Sequence, residues 1–115
     1  MNIENLRDYC LSLPFSEEKF PFDDETLVFC VGGKIFALVD LGNATRVNLK
    51  CEPEQAIMLR EAYEGIIPGW HMNKKHWNTV FFDTDVSDKL LLELVLNSYN
   101  LVFERLPKRL KETLK

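Results

Sequence analysis

Between positions 70 and 78 the chain reads Trp70-His71-Met72-Asn73-Lys74-Lys75-His76-Trp77-Asn78, which packs two tryptophans, two histidines, two lysines and two asparagines into nine residues. Indoles offer flat stacking surfaces, ammonium groups neutralise phosphates, and carboxamides can read base edges or hold phosphate oxygens. The set suits a polyanion. A plainer reading is equally available: Trp70 and Trp77 anchor a long loop on the core with their indole N–H groups met by backbone, and the lysines are merely solvated.

The other candidate chemistry is weaker. His71 and His76 are five apart, which fits neither a helical i, i+4 ligand pair nor a zinc spacing with Cys51. Neither has a Ser or Cys nucleophile beside it, and no elbow motif is present, so an enzyme built on either histidine would need a carboxylate or nucleophile supplied by the fold. Asp23-Asp24-Glu25 and Asp83-Thr84-Asp85 carry oxygen ligands but lack the ordered Gly and terminal Glu of a calcium loop; turn and capping roles suffice for them. Gly32-Gly33-Lys34 is too short for a phosphate loop and is followed by a strand pattern where that motif needs a helix. Cys10, Cys30 and Cys51 form an odd set with no CxxC pair, as expected of buried or free thiols in a reducing compartment. No cofactor, metal or catalytic residue is expected.

A chain of 115 residues with 46% hydrophobic and 28% charged residues can bury one core and no more. The longest nearly apolar stretch, 26–41, is interrupted by Gly32, Gly33 and Lys34, well short of the ~20 residues that span a bilayer. The first residues lack the basic flank and apolar run of a secretory signal, so a cytoplasmic location is expected. A net charge of -4 opposes indiscriminate binding to nucleic acid or acidic lipid. The charge is segregated, however: residues 1–30 hold seven acids and two bases, whereas 105–115 hold five bases and one acid. A basic tail of this kind is usually just a soluble helix end; residues 108–114 allow a short amphipathic turn of helix, although the end of a chain frays readily.

The loop must be held by elements that the hydrophobic pattern makes visible. Ile3, Leu6, Cys10 and Leu13 recur at helical spacing after Asn2, predicting a helix over 3–13 that Pro14 ends. The β-rich runs 26–31 and 34–39 flank Gly32-Gly33 as a two-residue hairpin, and 46–50 alternates as a third strand with Arg46, Asn48 and Lys50 on one face. Pro53 opens a second helix over 53–64, which Gly65 ends, and residues 66–76 read as irregular chain. Residues 77–82 return to β character, after which Asp85 or Ser87 caps a long helix that Pro107 ends or kinks. Phe29, Phe36, Leu38, Leu59, Val80, Leu91, Leu94 and Val95 are expected in one core.

Four blocks in order, 31–37, 47–54, 67–78 and 98–102, give the chain a specific resemblance to the YjbR/MmcQ family of small bacterial proteins. Glu52 stands where that family often has Asp, and Trp70 where it commonly has Tyr. The resemblance implies a single α+β domain of α-β(3)-α-β(2)-α order, with an antiparallel sheet and a fold that looks like secretion chaperones, and it brings no catalytic residues. Family members are commonly described as DNA-binding through a double-wing arrangement of hairpins. The expectation is therefore a non-catalytic protein binding double-stranded DNA through Arg46, Lys50, Asn73, Lys74, Lys75, His76, Trp77 and Asn78. A protein-interaction or chaperone-like module is the alternative, favoured by the acidity and the implied fold, and an enzyme using His71 or His76 is the third reading.

Overall fold

A computed structural model describes residues 1–69 and 72–114, so Trp70, His71 and Lys115 lie outside the described residues. The elements follow the order α1 (Ile3–Ser12), β1 (Ser16–Lys19), β2 (Thr26–Val31), β3 (Lys34–Asp40), β4 (Arg46–Lys50), α2 (Pro53–Ala62), β5 (Ile66–Pro68), β6 (Trp77–Phe81), α3 (Asp88–Glu104) and α4 (Lys108–Leu114). All strand pairs are antiparallel, in one six-stranded sheet ordered β1-β2-β3-β4-β6-β5. The α+β class implied by the resemblance holds, with one strand more before α2. A radius of gyration of 13.5 Å matches the ~13 Å of a single domain this long. No helix among the described residues is long and apolar enough to cross a membrane.

Local chemistry explains the boundaries. The Asn2 side chain accepts the Asn5 N–H (2.8 Å) and starts α1; beyond its end the Ser16 hydroxyl reaches the Cys10 and Leu13 carbonyls (2.7 and 2.9 Å), which also accept the Leu13 and Ser16 N–H groups. Of the two cap candidates for α3, Ser87 is the one used, accepting the Leu90 N–H. Asp85 serves the other helix: its two carboxylate oxygens accept the Glu64 and Gly65 N–H groups (both 2.8 Å) just past α2. Asp23 makes the expected turn, accepting from the Glu25 and Thr26 N–H groups. Gly32 and Gly33 both take positive φ (+58° and +79°), as the β2–β3 turn requires.

Helices α1 and α3 pack on one face of the sheet and form the core with it. Leu91, Val95, Tyr99 and Val102 of α3 meet Phe29, Phe36, Val47 and Val80, each burial being worth about 1.5–3 kcal/mol. The Tyr99 ring stands edge-on to Phe36 (centroids 5.3 Å, 89°), and its hydroxyl donates to the Pro14 carbonyl at 2.6 Å.

One expected core residue lies elsewhere. Phe29 pairs with Ala37 but Cys30 with Ile35, so Phe36 is an extra residue in β3, a β-bulge. Phe36 and Ala37 therefore both point into the core, fully buried, and Leu38 is thrown to the opposite face, where it is half-buried beside Ile35. Leu59 is half-buried but packs against the core, and the other six expected residues are in it. The basic end forms α4, the short amphipathic helix its pattern allows, and Leu110 and Leu114 pack on the core. Leu106 and Leu110 lie close over Gly32, leaving no room for a Cβ there.

Candidate nucleic-acid interface

The bulge shapes the site. Beyond Phe36 the two middle strands part, and their ladder is limited to Ala37 with Leu49 and Leu38 with Asn48. The gap is closed at depth by Ser98 of α3, which is fully buried. Its hydroxyl donates to the Phe36 carbonyl (2.6 Å) and accepts the Lys50 N–H (2.8 Å), so both stranded backbone groups are satisfied from the helix layer. Above Ser98 the gap opens as a groove of about 430 Å³ lined by Gly33, Lys34, Ile35, Lys50, Trp77, Val102 and Arg105.

Lys50 and Trp77 are direct cross-strand partners and so lie on the same face. Lys34 enters from the glycine turn and Arg105 from the end of α3. The Arg105 guanidinium is held by Glu52 at 2.6 Å, while the Lys34 and Lys50 ammonium groups have no anionic partner among the described residues. With Glu52 counted, the groove keeps a net positive charge. Leu110 of α4 packs at the same turn, which brings Lys108 and Arg109 to this end of the molecule.

The structure separates the remaining expected residues. Arg46 shares the face with Lys50 but sits four residues away along β4, roughly 13 Å, with its guanidinium 5.9 Å from the Phe81 ring centroid. Asn73 builds a turn: its carbonyl accepts the His76 and Trp77 N–H groups and its Oδ1 accepts that of Lys75. Lys74 is folded back, Nζ reaching the Gly69 carbonyl at 3.3 Å, and its own carbonyl accepts from Arg60. Lys75 is exposed. His76 fastens the loop through its carbonyl, which accepts the Cys51 N–H (2.8 Å), and its buried Nδ1 has no hydrogen-bond partner among the described residues.

Asn78 is 2% exposed and points to the helix side, opposite to Trp77. Its Oδ1 accepts from Arg60 Nε (2.6 Å) and its amide donates to the Ala56 carbonyl (3.3 Å). It ties α2 to the sheet and cannot touch a ligand on the far face. The strand alternation that places Trp77 outward already required this. Lys34 and Arg105 were missed because no local pattern joins residues so far apart in the chain.

Other chemistry is sparse. The three cysteines are buried and unpaired, and burial pushes the Cys10 thiol up to about 12 and raises those of Cys30 and Cys51. No group of three or more metal-ligating side chains occurs among the described residues. His71, one of the two candidate catalytic histidines, lies outside them together with Trp70.

The YjbR family model matches residues 11–101. The chain is 42% identical over 107 residues to the uncharacterised protein YbdF of Escherichia coli O157:H7, covering 92% of this chain and 88% of that one. It is 33% identical over 115 residues to the uncharacterised protein YjbR of Escherichia coli K12, covering 99% and 98%. The crystal structure of Deinococcus radiodurans protein DR2400, which carries a DUF419 domain, superposes with a TM-score of 0.92 at 44% identity, over 98% of this chain and 87% of that one. A Pseudomonas syringae protein, solved by crystallography, superposes with a TM-score of 0.75 at 26% identity, over 89% and 99%. With a family match over most of its length and two relatives above 30% identity across nearly whole chains, this protein belongs to the YjbR family.

Proposed function

We propose that this protein binds nucleic acid without catalysis, double-stranded DNA in the first instance, through the groove formed by Lys34, Lys50, Trp77 and Arg105, with Lys75 on the adjoining loop. The observation that supports this is the convergence of three cations and an indole on one groove, two of the cations lacking an anionic partner among the described residues. Lys50 is also held at its backbone by the buried Ser98, so less freedom is lost when it meets a phosphate. Arg46, farther along β4, adds a contact only to a ligand long enough to cross the open face.

Titrating labelled duplex against the protein at several salt concentrations tests the reading. Affinity should fall steeply with salt, because each neutralised phosphate releases condensed counterions, and replacing both Lys34 and Lys50 by Ala should reduce the log–log slope by about two. Replacing Lys74 alone should change it little, since its ammonium is turned back onto the loop. Identical curves for wild type and the Lys34/Lys50 double variant would refute this groove.

A protein-interaction role is the second reading, favoured by Phe15, just before β1, and Phe20 and Phe22, between β1 and β2, which are 52, 50 and 65% exposed. Absence of duplex binding at low salt would favour it.

A further inference from the structure

At the end of the β2–β3 hairpin away from the glycine turn, a hollow of about 270 Å³ opens between α1 and the sheet. Ile3, Phe20, Leu27 and Leu41 give it an apolar lining, and Phe20 and Leu41 remain 50 and 38% exposed. It has room for one large apolar side chain, the kind of pocket in which an interface anchor sits. Both exposed residues are held in place. Pro21 restricts the backbone of Phe20 before it, and the Leu41 N–H donates to the Glu25 carbonyl at 2.7 Å, so docking on them orders little that is loose.

The surrounding charge is negative and uncompensated. Of the two basic side chains in the first thirty residues, Arg7 is bound by Glu18 through Nε and Nη2, both at 2.6 Å, and Lys19 lies 3.5 Å from Glu17. Glu4 on the rim, and Glu25 and Asp40 beside Leu41, have no ion-pair partner among the described residues. Glu25 Oε2 and Asp40 Oδ1 lie 3.3 and 3.2 Å from the place a Cβ on Gly42 would occupy, so two carboxylates crowd one point with no cation between them. A cation brought there would relieve their repulsion.

We propose that this face docks a basic amphipathic helix of another protein. A large apolar side chain of the helix fills the hollow, its next turn rests on Phe20 and Leu41, and its lysines or arginines meet Glu4 on one side and the Glu25–Asp40 pair on the other. Phosphates and acidic lipids are repelled by the same carboxylates. A second copy of this chain is a poor occupant, because its own basic helix, α4, turns Leu110 and Leu114 onto its own core and has no apolar face to offer. Strand addition is not the mode either: Glu18 pairs with Phe29 and faces the helix layer with Arg7, which puts the hollow on the helix side of β1 and not along its edge. This role rests on the protein-interaction reading and not on the groove, whose Lys34 lies at the other end of the hairpin, the six residues of β2 or roughly 20 Å away.

The test is titration of the isotopically labelled full chain with a helical peptide of leucine and lysine that carries its leucines on one face, with an Ala/Lys and a Leu/Glu peptide of the same length as comparisons. The Leu/Lys peptide is expected to bind saturably and to shift the backbone amides of Leu27 and Leu41, with the other two peptides at least about tenfold weaker. Phe20→Ala should weaken it about tenfold and leave duplex binding unchanged, and Glu25→Gln should reduce its salt dependence. Both side chains are exposed, and the comparison of peptides on wild type decides the matter without either variant. No saturable binding of the Leu/Lys peptide up to about 1 mM, or equal binding of the Ala/Lys peptide, would overturn the proposal. Shifts centred on Phe15 or Phe22 in place of Leu27 and Leu41 would overturn this surface while leaving the protein-interaction reading standing. Self-association of wild type that Phe20→Ala abolishes would also overturn it, assigning the face to a second copy.

Discussion

Replacing Ser98 by Ala removes the one hydroxyl that serves both the Phe36 carbonyl and the Lys50 N–H. The Phe36 carbonyl is buried and the Lys50 N–H half-buried where the ladder between β3 and β4 has ended, so neither finds a strand partner. Leaving each unsatisfied costs about 1–3 kcal/mol, and partial relaxation of the gap places the total near 2–4 kcal/mol. At about 2.1 cal/mol/K per residue, a 115-residue chain has an unfolding entropy near 0.24 kcal/mol/K, so the midpoint temperature should drop by about 8–16 °C. Urea unfolding measures the free energy, and hydrogen exchange at the Lys50 amide reports the local event, which should quicken more than amides in β2. Ser12→Ala is the control: its hydroxyl contacts only the Tyr9 carbonyl at an exposed position, and it should change stability by less than about 0.5 kcal/mol. A loss below about 0.5 kcal/mol for Ser98→Ala, with unchanged exchange at Lys50, would refute the bridging role and the account of how the groove is held open.

The two turn glycines should differ. Gly32→Ala puts a Cβ 2.7 Å from Leu106 at positive φ and should cost about 2–3 kcal/mol, against about 1 kcal/mol for Gly33→Ala, whose Cβ meets nothing; denaturant titration ranks them. With its thiol pushed up to about 12 by burial, Cys10 should resist a thiol reagent at pH 8 in the native state, and all three cysteines should react in denaturant. Hydrogen bonding to Arg7 (2.6 Å from both Nε and Nη2) holds the Glu18 carboxyl below its ordinary value. Its stabilisation is therefore present above the unfolded pKa of about 4.3 and fades as pH falls through the lower folded value. Glu18→Gln should cost about 0.2–1 kcal/mol near pH 7 and nothing in strong acid, as thermal melts across pH will show. Asn78→Ala removes the acceptor of Arg60 Nε, whose Nη2 keeps the Lys74 carbonyl, and should cost about 1–3 kcal/mol while leaving the salt slope of nucleic-acid binding unchanged.

Periodicity was enough to place α1, the β2–β3 hairpin, β4, α2, β6 and α3, because each carries a core-facing stripe and a turn residue at its end. It could not reveal β1, whose Ser-Glu-Glu-Lys has no apolar alternation and is a strand only because β2 lies beside it. Nor could it reveal β5, three residues long and ending in proline. The bulge at Phe36 was equally silent, since Lys34 to Val39 reads as unbroken β pattern, and that single extra residue is why Leu38 leaves the core. In the candidate site, Lys50 and Trp77 were legible as chemistry but their pairing was not. Lys34 and Arg105 join them through a turn and a helix end that only tertiary packing brings together. Asn78 was misassigned by reading the loop as a block when alternation after Trp77 already turned it inward.

Both outer strands of the sheet are poor templates for another chain. On one side β1 presents Glu17, Glu18 and Lys19, charges that resist the approach of a second strand. On the other, β5 ends after three residues at Pro68, which has no N–H to donate. Charge, brevity and proline are the devices by which sheet proteins avoid edge-to-edge growth into aggregates. The consequence is a division across the sheet: its borders are poor templates for a further strand, so the apolar surface around Leu38 and Phe22 stays exposed without inviting edge-to-edge self-association.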